Sequence, residues 1–406
     1  MRIFFSVGEP SGDLHGANLI RELRTLNPDA EFVGYGGPKM AKAGCVLHED
    51  LTKLAVMWLL HAILNIHKFW DLLQRADRYF AGHKLDAVVL IDYPGFNWWI
   101  ARKAKRHKVP VFYYGAPQMW GWAPWRIKKM KRLVDHVLCK LPFEEKWYSD
   151  RGCKATFVGH PYFDEMHQQE LDSEFTDQYG CDQRPLITIL PGSRIQEVTR
   201  NLKWFLKTAA KVRERQSDVR FAIASFNKQQ ALIARCECEE ANVPADVFVG
   251  RTPELINVAR CCMACSGSVS LELLHNLKPT VILYHIRRFD WFIQALLRQV
   301  KYITLANLLF TKDIRATSVH LFDPDSPGAE RVPFPEYVTF GDKSSEMARH
   351  IHLWVTSDQE RDARVEQLKE LKARFCFPGA SRKAAEYIMT EVEVTSNTTR
   401  RPSIAA

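Results

Sequence analysis

MRIFFSVGEPSGDLHGANLIRELRTL, residues 1–26, holds a short apolar run, a glycine-bearing turn and a helical period in succession. Ile3, Phe4, Phe5 and Val7 form a nearly continuous apolar segment, as expected of a strand covered on both faces in a parallel sheet. Residues 11–26 read as the helix that follows. Between them, residues 8–13 (GEPSGD) make the strand-to-helix turn expected at the rim of such a sheet.

Working outward, the same order recurs without any internal sequence repeat. Residues 87–91 (AVVLI) read as a strand ending at Asp92, and Pro94 and Gly95 then turn the chain. Residues 109–114 and 134–139 are two further strands. A second series starts after His160-Pro161. The charged, aperiodic stretch 165–184 reads as a linker or edge segment. Residues 186–190 (LITIL) form a strand closed by Pro191-Gly192-Ser193-Arg194, with a long helix through Arg215. Strands at 219–224, 247–249 and 281–284 alternate with helices. Residues 344–373 and 381–391 are helical, with a break at Gly379, and the polar stretch beyond is expected to fray. The fold class is α/β, with two mostly parallel sheets. At 406 residues the chain exceeds one compact core, so two domains are expected. Asp92, the first glycine turn and the 191–194 turn all follow strand carboxyl ends, where open parallel sheets bind ligands. That placement predicts one cleft between the domains.

Apolar residues make up 46% and charged residues 25%, which excludes disorder. The formal charge is +9, and part of it is local: Arg126, Lys128, Lys129, Lys131 and Arg132 follow Trp120, Trp122 and Trp125. Basic residues beside indoles suit anionic lipid headgroups, nucleic acid or a plain solvated helix, and charge alone does not choose among them. Residues 54–66 (LAVMWLLHAILNI) fall short of the roughly 20 apolar residues needed to span a bilayer and read as a buried or an interfacial helix. Of the ten cysteines, Cys236/Cys238 and Cys261/Cys262/Cys265 lack the standard paired CxxC arrangement, and the latter set sits in a short apolar run where cysteine reads as a small buried hydrophobe, so no metal is expected. With no leader and no disulfide framework, a cytoplasmic compartment is expected.

The residues from Gly8 to Gly16 lack the phosphate-loop lysine and the G-x-G-x-x-G spacing. Gly8 and Gly12 still allow close approach to a sugar or phosphate near Ser11 and Asp13, although a tight structural turn reads equally well. Asp92 is a candidate general base or a turn cap, and Asn97 a substrate contact or a cap. Gly192, Ser193 and Arg194 offer amides, a hydroxyl and a guanidinium at a helix start, which suits a diphosphate better than a plain cap, the alternative reading. Glu197 and Arg200 follow, either as ordinary surface pair members or as support for that site. Gly267 and Ser268 leave room for a nucleotide, with Glu272 one helical turn in as a candidate acceptor for ribose hydroxyls, although a structural turn before an amphipathic helix reads nearly as well. His61, His67, His160 and His275 form no zinc set, and no G-x-S-x-G elbow is present. These features favour group transfer from a nucleotide-activated donor. A sugar-nucleotide epimerase and a catalytically silent lipid-binding relative are the rivals.

In order along the chain, SVGEPSGDLHGANLIREL, FVGYGGPKM, LAVMW, IDYPGFN, LPFEEKWY, FVGHP, LPGSRIQEV, SGSVSLELL and YITLANLL closely resemble the lipid-A-disaccharide synthase family. The resemblance implies the GT-B fold: two Rossmann-like domains, residues 1–165 and 166–345, helices 346–391 returning toward the first domain, and a flexible tail at 392–406. It implies an inverting glycosyltransferase without cofactor or metal. The donor would be UDP-2,3-diacylglucosamine and the acceptor 2,3-diacylglucosamine 1-phosphate, joined β(1→6). It further implies Asp92 as base, Arg194 on the donor diphosphate, Asn307 in activity, and Gly267, Ser268 and Glu272 at the nucleotide. Residues 54–60 resemble a membrane-inserting helix. The implied location is the cytoplasmic face of the inner membrane, held peripherally on an anionic membrane surface, with no nucleic acid partner. Some members form a homodimer by exchanging the C-terminal helices. The chain departs from the family pattern at Gly95, at Ala306, after Leu309, and at residues 323–335, which read as a loop insertion.

Overall fold

The computed structural model describes residues 1–55, 66–311 and 322–400. The chain divides into two compact units: Met1–His167 with Phe377–Ala406, and Gln168–Cys376.

The first unit holds a seven-stranded sheet in the order β3-β2-β1-β4-β5-β6-β7, every pair parallel. Its strands are β1 (Arg2–Val7), β2 (Glu31–Gly36), β3 (Val46–Asp50), β4 (Ala87–Ile91), β5 (Val111–Tyr114), β6 (His136–Cys139) and β7 (Ala155–Phe157). β1 and β4 are buried through almost their whole length, as their unbroken apolar sequence requires. β5 starts two residues later than the apolar run suggests. Pro110 has no N–H to give a ladder, and its carbonyl accepts from Val88 instead.

The second unit holds a six-stranded parallel sheet in the order β10-β9-β8-β11-β12-β13. These strands are β8 (Leu186–Leu190), β9 (Arg220–Ser225), β10 (Asp246–Val249), β11 (Cys261–Cys265), β12 (Thr280–His285) and β13 (Glu336–Thr339). Cys261, Cys262 and Cys265 lie buried in β11, and burial pushes the Cys262 thiol up to about 12. Val198, Leu202, Phe205, Leu206 and Ala209 line one face of the helix Ile195–Arg215 and pack on this sheet.

Both sheets reverse strand order beside their first strand. In the first unit the reversal falls between β1 and β4, and in the second between β8 and β11. Parallel sheets open a crevice beyond the strand ends at that point.

The C-terminal path differs in detail from the sequence reading. The helices Ser344–Thr356 and Asp358–Phe375 break at Ser357 and stay in the second unit, and the chain passes to the first unit at Phe377. The helix Ala380–Arg400 runs past the point where fraying was expected. Its Ala384, Ala385, Ile388 and Val392 complete the first unit's core against the helix Pro10–Leu26. Asp164 caps it, accepting from the N–H groups of Ala380 (3.1 Å) and Ser381 (2.8 Å). The stretch read as a linker carries two helices, Tyr162–Gln168 and Ser173–Gly180. Within the stretch 54–66, residues 56–65 lie outside the described residues.

Candidate functional site

At the first switch point, β1 runs through Gly8 into the helix Pro10–Leu26, and β4 runs into Asp92. Asp92 and Tyr93 both adopt left-handed backbone, with φ of 46° and 42°. Two adjacent non-glycine residues in that region are costly and need surrounding structure to hold them. Asn97 supplies much of it. Fully buried, it donates its amide to the carbonyls of Asp92 (2.8 Å), Ser6 (3.1 Å) and Ile91 (3.2 Å), and it accepts from the Ser6 hydroxyl at 2.6 Å. Tyr113 donates to the Asp92 carbonyl as well, at 2.7 Å. The carbonyl of Asp92 is therefore pinned from β5 and from its own following helix, whose Asn97 is in turn tied to β1.

Its carboxylate meets Lys140, which directly follows β6. The ammonium donates to Asp92 Oδ1 at 3.1 Å, with both side chains largely buried. Burial by itself lowers the Lys140 pKa, but Asp92 and Glu144 outweigh it and hold the ammonium above its ordinary range. Glu144 accepts from Trp120 Nε1 and from the amides of Lys140 and Leu141, so a second acid is fixed behind the lysine. The turn glycines make room at this edge. A Cβ on Gly8 would stand 2.4 Å from the Tyr93 ring, and one on Gly12 would stand 2.9 Å from Val7 and 3.8 Å from Asp92 Oδ2. Ser11 is exposed on the same turn. His15 and His160 lie buried nearby, with ring centroids 6.3 Å apart. Burial, then the Lys140 charge, lowers the His15 pKa to about 4.

Asp13 faces elsewhere. Its buried carboxylate accepts from the amides of Gly37, Lys39 and Met40 at 2.9–3.0 Å and caps the short helix Pro38–Lys42. The first-turn acid is thus used to tie the loop after β2, rather than to face a ligand.

At the second switch point, Gly192 sits at φ 132°, and a Cβ there would fall 2.4 Å from Glu197 Cβ. Glu197 turns back and accepts from the amides of Ser193 (3.0 Å) and Arg194 (3.1 Å). Two of the amides that the sequence offers to a diphosphate are thus already satisfied by a carboxylate in a capping-box geometry. The Arg194 guanidinium remains 74% exposed, 3.6 Å from Glu197. Asn201, buried beneath, accepts from the His285 amide and donates toward Cys265 Sγ and the Pro191 carbonyl, linking the ends of β8, β11 and β12. Gly267 and Ser268 are exposed at the end of β11, whereas Glu272 is buried inside the following helix.

Asn307 is fully buried and fully engaged. It accepts from the Phe334 amide, and it donates to the Phe334 carbonyl (2.8 Å) and to Glu336 (2.9 Å). Glu336 also accepts from Ile303 and Thr304, and burial raises its pKa. The helix Leu305–Phe310 is clamped to the start of β13 by this knot. Among the described residues no group of three or more His, Cys, Asp or Glu is placed to hold a metal ion.

The sequence reading did not select Lys140, although it follows an apolar strand by the same rule that picked out Asp92. The sequence offers Asn97 as a substrate contact or a cap, and the family resemblance implies Asn307 in activity; the structure gives their side chains to Ser6 and to backbone groups for Asn97, and to the Phe334 backbone and Glu336 for Asn307.

The profile of a family described as "Lipid-A-disaccharide synthetase" matches residues 3–320. The lipid-A-disaccharide synthase of Myxococcus xanthus (strain DK1622) is 29% identical over 391 residues, covering 96% of this chain and 97% of that protein. That of Coxiella burnetii (strain Dugway 5J108-111) is 32% identical over 326 residues, covering 80% and 85%. Among solved structures, that of S. aureus MnaA with UDP superimposes with a TM-score of 0.63 at 11% identity, covering 100% of both chains. This last likeness bears on the fold alone, two Rossmann-like units of the GT-B class.

Proposed function

The chain belongs to the lipid-A-disaccharide synthase family, and on that premise we propose that it transfers 2,3-diacylglucosamine from UDP to the 6-hydroxyl of 2,3-diacylglucosamine 1-phosphate. The product is the β(1→6)-linked disaccharide 1-phosphate, and UDP leaves. The observation that carries this chemistry is Asp92, a carboxylate on a strained turn at a sheet switch point, held by Lys140.

In this reading Asp92 takes the proton of the acceptor 6-hydroxyl as that oxygen attacks C1 of the donor sugar. The C1–O bond to the diphosphate breaks with its electron pair going to UDP, so a single displacement inverts the α-linked donor. Lys140 is a positioning residue: it holds Oδ1 and leaves Oδ2 on the Gly12 side. Gly8 and Ser11 belong to the same acceptor-side turn. Arg194 offsets the charge that grows on the leaving diphosphate. Gly192 and Ser193 shape its turn, and Gly267 and Ser268 leave room for the nucleotide. Asn307 acts indirectly, by fixing the segment that carries it.

The same reading places the enzyme peripherally on the cytoplasmic face of the inner membrane, against an anionic surface. Its support is the apolar stretch 54–66 followed by Lys68, Arg75, Arg78 and Lys84. Among the described residues no helix is long and apolar enough to cross a membrane.

The test mixes purified protein with both substrates in detergent micelles and follows UDP release together with disaccharide formation. Acceptor-dependent release is expected, with Asp92→Asn nearly inactive. Sugar epimerisation without an acceptor, or a folded UDP-binding protein that yields no product at several acyl lengths, would overturn the assignment.

A further inference from the structure

The helix Arg288–Leu297 reads RFDWFIQALL. Phe289, Phe292, Ile293 and Leu296 fall at i, i+3, i+4 and i+7, the spacing with which a helix builds an apolar stripe for a core. Here the stripe is bare: Phe289 is 73%, Phe292 66% and Leu296 82% exposed. Scattered exposed apolar residues are ordinary, but an aligned set on one helix face marks an interaction surface. The helix is anchored from its other side, where Trp291 packs edge-on against Phe340 with centroids 5.6 Å apart.

The charge around it has one dominant sign. Arg287 and Arg288 open the helix and Lys301 follows it, all exposed. An open recess of about 350 Å³ adjoins its start, and Arg200, Lys203 and Arg287 are among its lining residues. Asp290 is the one acid within the helix.

We propose that this helix is a second membrane contact, carried by the second unit and separate from residues 54–66. It lies flat on a bilayer that bears anionic headgroups, with its Phe and Leu stripe among the upper acyl segments. The basic recess and Arg288 sit at headgroup phosphates. A second protein copy would be served by the apolar stripe alone, whereas the clustered cations beside it match an anionic lipid surface. The inference deepens the peripheral-membrane reading above and stands apart from the transferase chemistry.

The experiment sediments the full-length protein with vesicles of phosphatidylglycerol and phosphatidylcholine in equal parts. It compares wild type with the triple variant Phe289→Ser/Phe292→Ser/Leu296→Ser. One fully buried Phe or Leu is worth on the order of tenfold in partition, so the variant should bind at least about tenfold more weakly. Arg287→Gln/Arg288→Gln should weaken binding to these vesicles and leave binding to pure phosphatidylcholine unchanged. Leu296→Ser alone guards against misfolding of the triple variant; its side chain has little packing to lose, and severalfold weaker binding is expected. Wild type that ignores vesicles altogether would overturn the peripheral-membrane reading itself, and this proposal with it. Wild type that binds, beside a folded triple variant that binds equally well, would overturn only the role of this helix. A triple variant that loses self-association in sedimentation velocity while keeping vesicle binding would assign the face to a second copy instead.

Discussion

Replacing Lys140 with Met should disable the enzyme only when Asp92 is present to miss it. At 3.1 Å and an effective dielectric constant of about 20, the gross attraction between the two charges is about 5 kcal/mol. Desolvation of the largely buried ammonium offsets part of that, leaving an expected coupling of about 2–3 kcal/mol. The assay is the initial rate of UDP release, giving kcat and KM for wild type, both single variants and the double variant. Asp92→Asn should cost about 10²–10⁴ in kcat, the usual worth of a general base. Lys140→Met should cost on the order of 10², mostly in kcat, because it leaves the carboxylate misplaced rather than absent. Once Asp92 is Asn, losing Lys140 should cost no more than about threefold further, since residues that act as one unit are not additive. A double variant that shows the full product of the two single losses would refute the pairing.

Asp164→Ala should destabilise the first unit by about 2–4 kcal/mol, because it strands buried amides at the start of the helix Ala380–Arg400; urea unfolding reads this, and a loss under about 0.5 kcal/mol would contradict the cap. Arg194→Ala should raise the donor KM and lower kcat while leaving the melting temperature within about 1 °C, since its side chain is mostly exposed. Asn307→Ala should lose activity together with stability, on the order of 2–3 kcal/mol, as Glu336 and the Phe334 backbone lose partners; lost turnover at unchanged stability would indicate direct substrate contact instead. His15 titrates near 4 in the folded chain and near 6.5 unfolded, so stability is full above about 6.5, falls as pH drops toward 4 and levels off below. The loss is on the order of 3 kcal/mol, and His15→Gln should flatten that slope in pH-dependent unfolding.

The strands that carry the site were legible because β1, β4 and β8 are buried on both faces and read as apolar runs. The two edge strands of the first sheet were not. β3 contains His48, Glu49 and Asp50, and β7 is only three residues long, so neither offers a hydrophobic signal. The rule that selected Asp92, a polar residue at a strand end, selects Lys140 equally well. A lysine after a strand reads as surface until a carboxylate 48 residues earlier is found beside it. Asp13, Asn97 and Asn307 show a different limit. Short polar side chains near turns can bind ligands or backbone, and the deciding partners are distant: Asp13 serves amides at residues 37–40, and Asn307 serves Phe334. The 191–194 turn is legible, but sequence leaves Glu197 open between a surface ion-pair member and support for an anion, whereas it stands in the anion's place on two amides.

The helix Ala380–Arg400 has a consequence for how the protein is made. The second unit is one uninterrupted segment, Gln168–Cys376, and is complete as soon as that segment leaves the ribosome. The first unit emerges earlier yet cannot close its core until Ala384, Ile388 and Val392 arrive, after the whole of the second unit. The order of completion therefore inverts the order of translation. While the second unit is being elongated, the helix Pro10–Leu26 still lacks the partner, Ala380–Arg400, that it packs against in the finished fold. A nascent chain stalled near residue 376 should present a finished second unit behind an unfinished first one, and that interval is when the first unit most needs a chaperone.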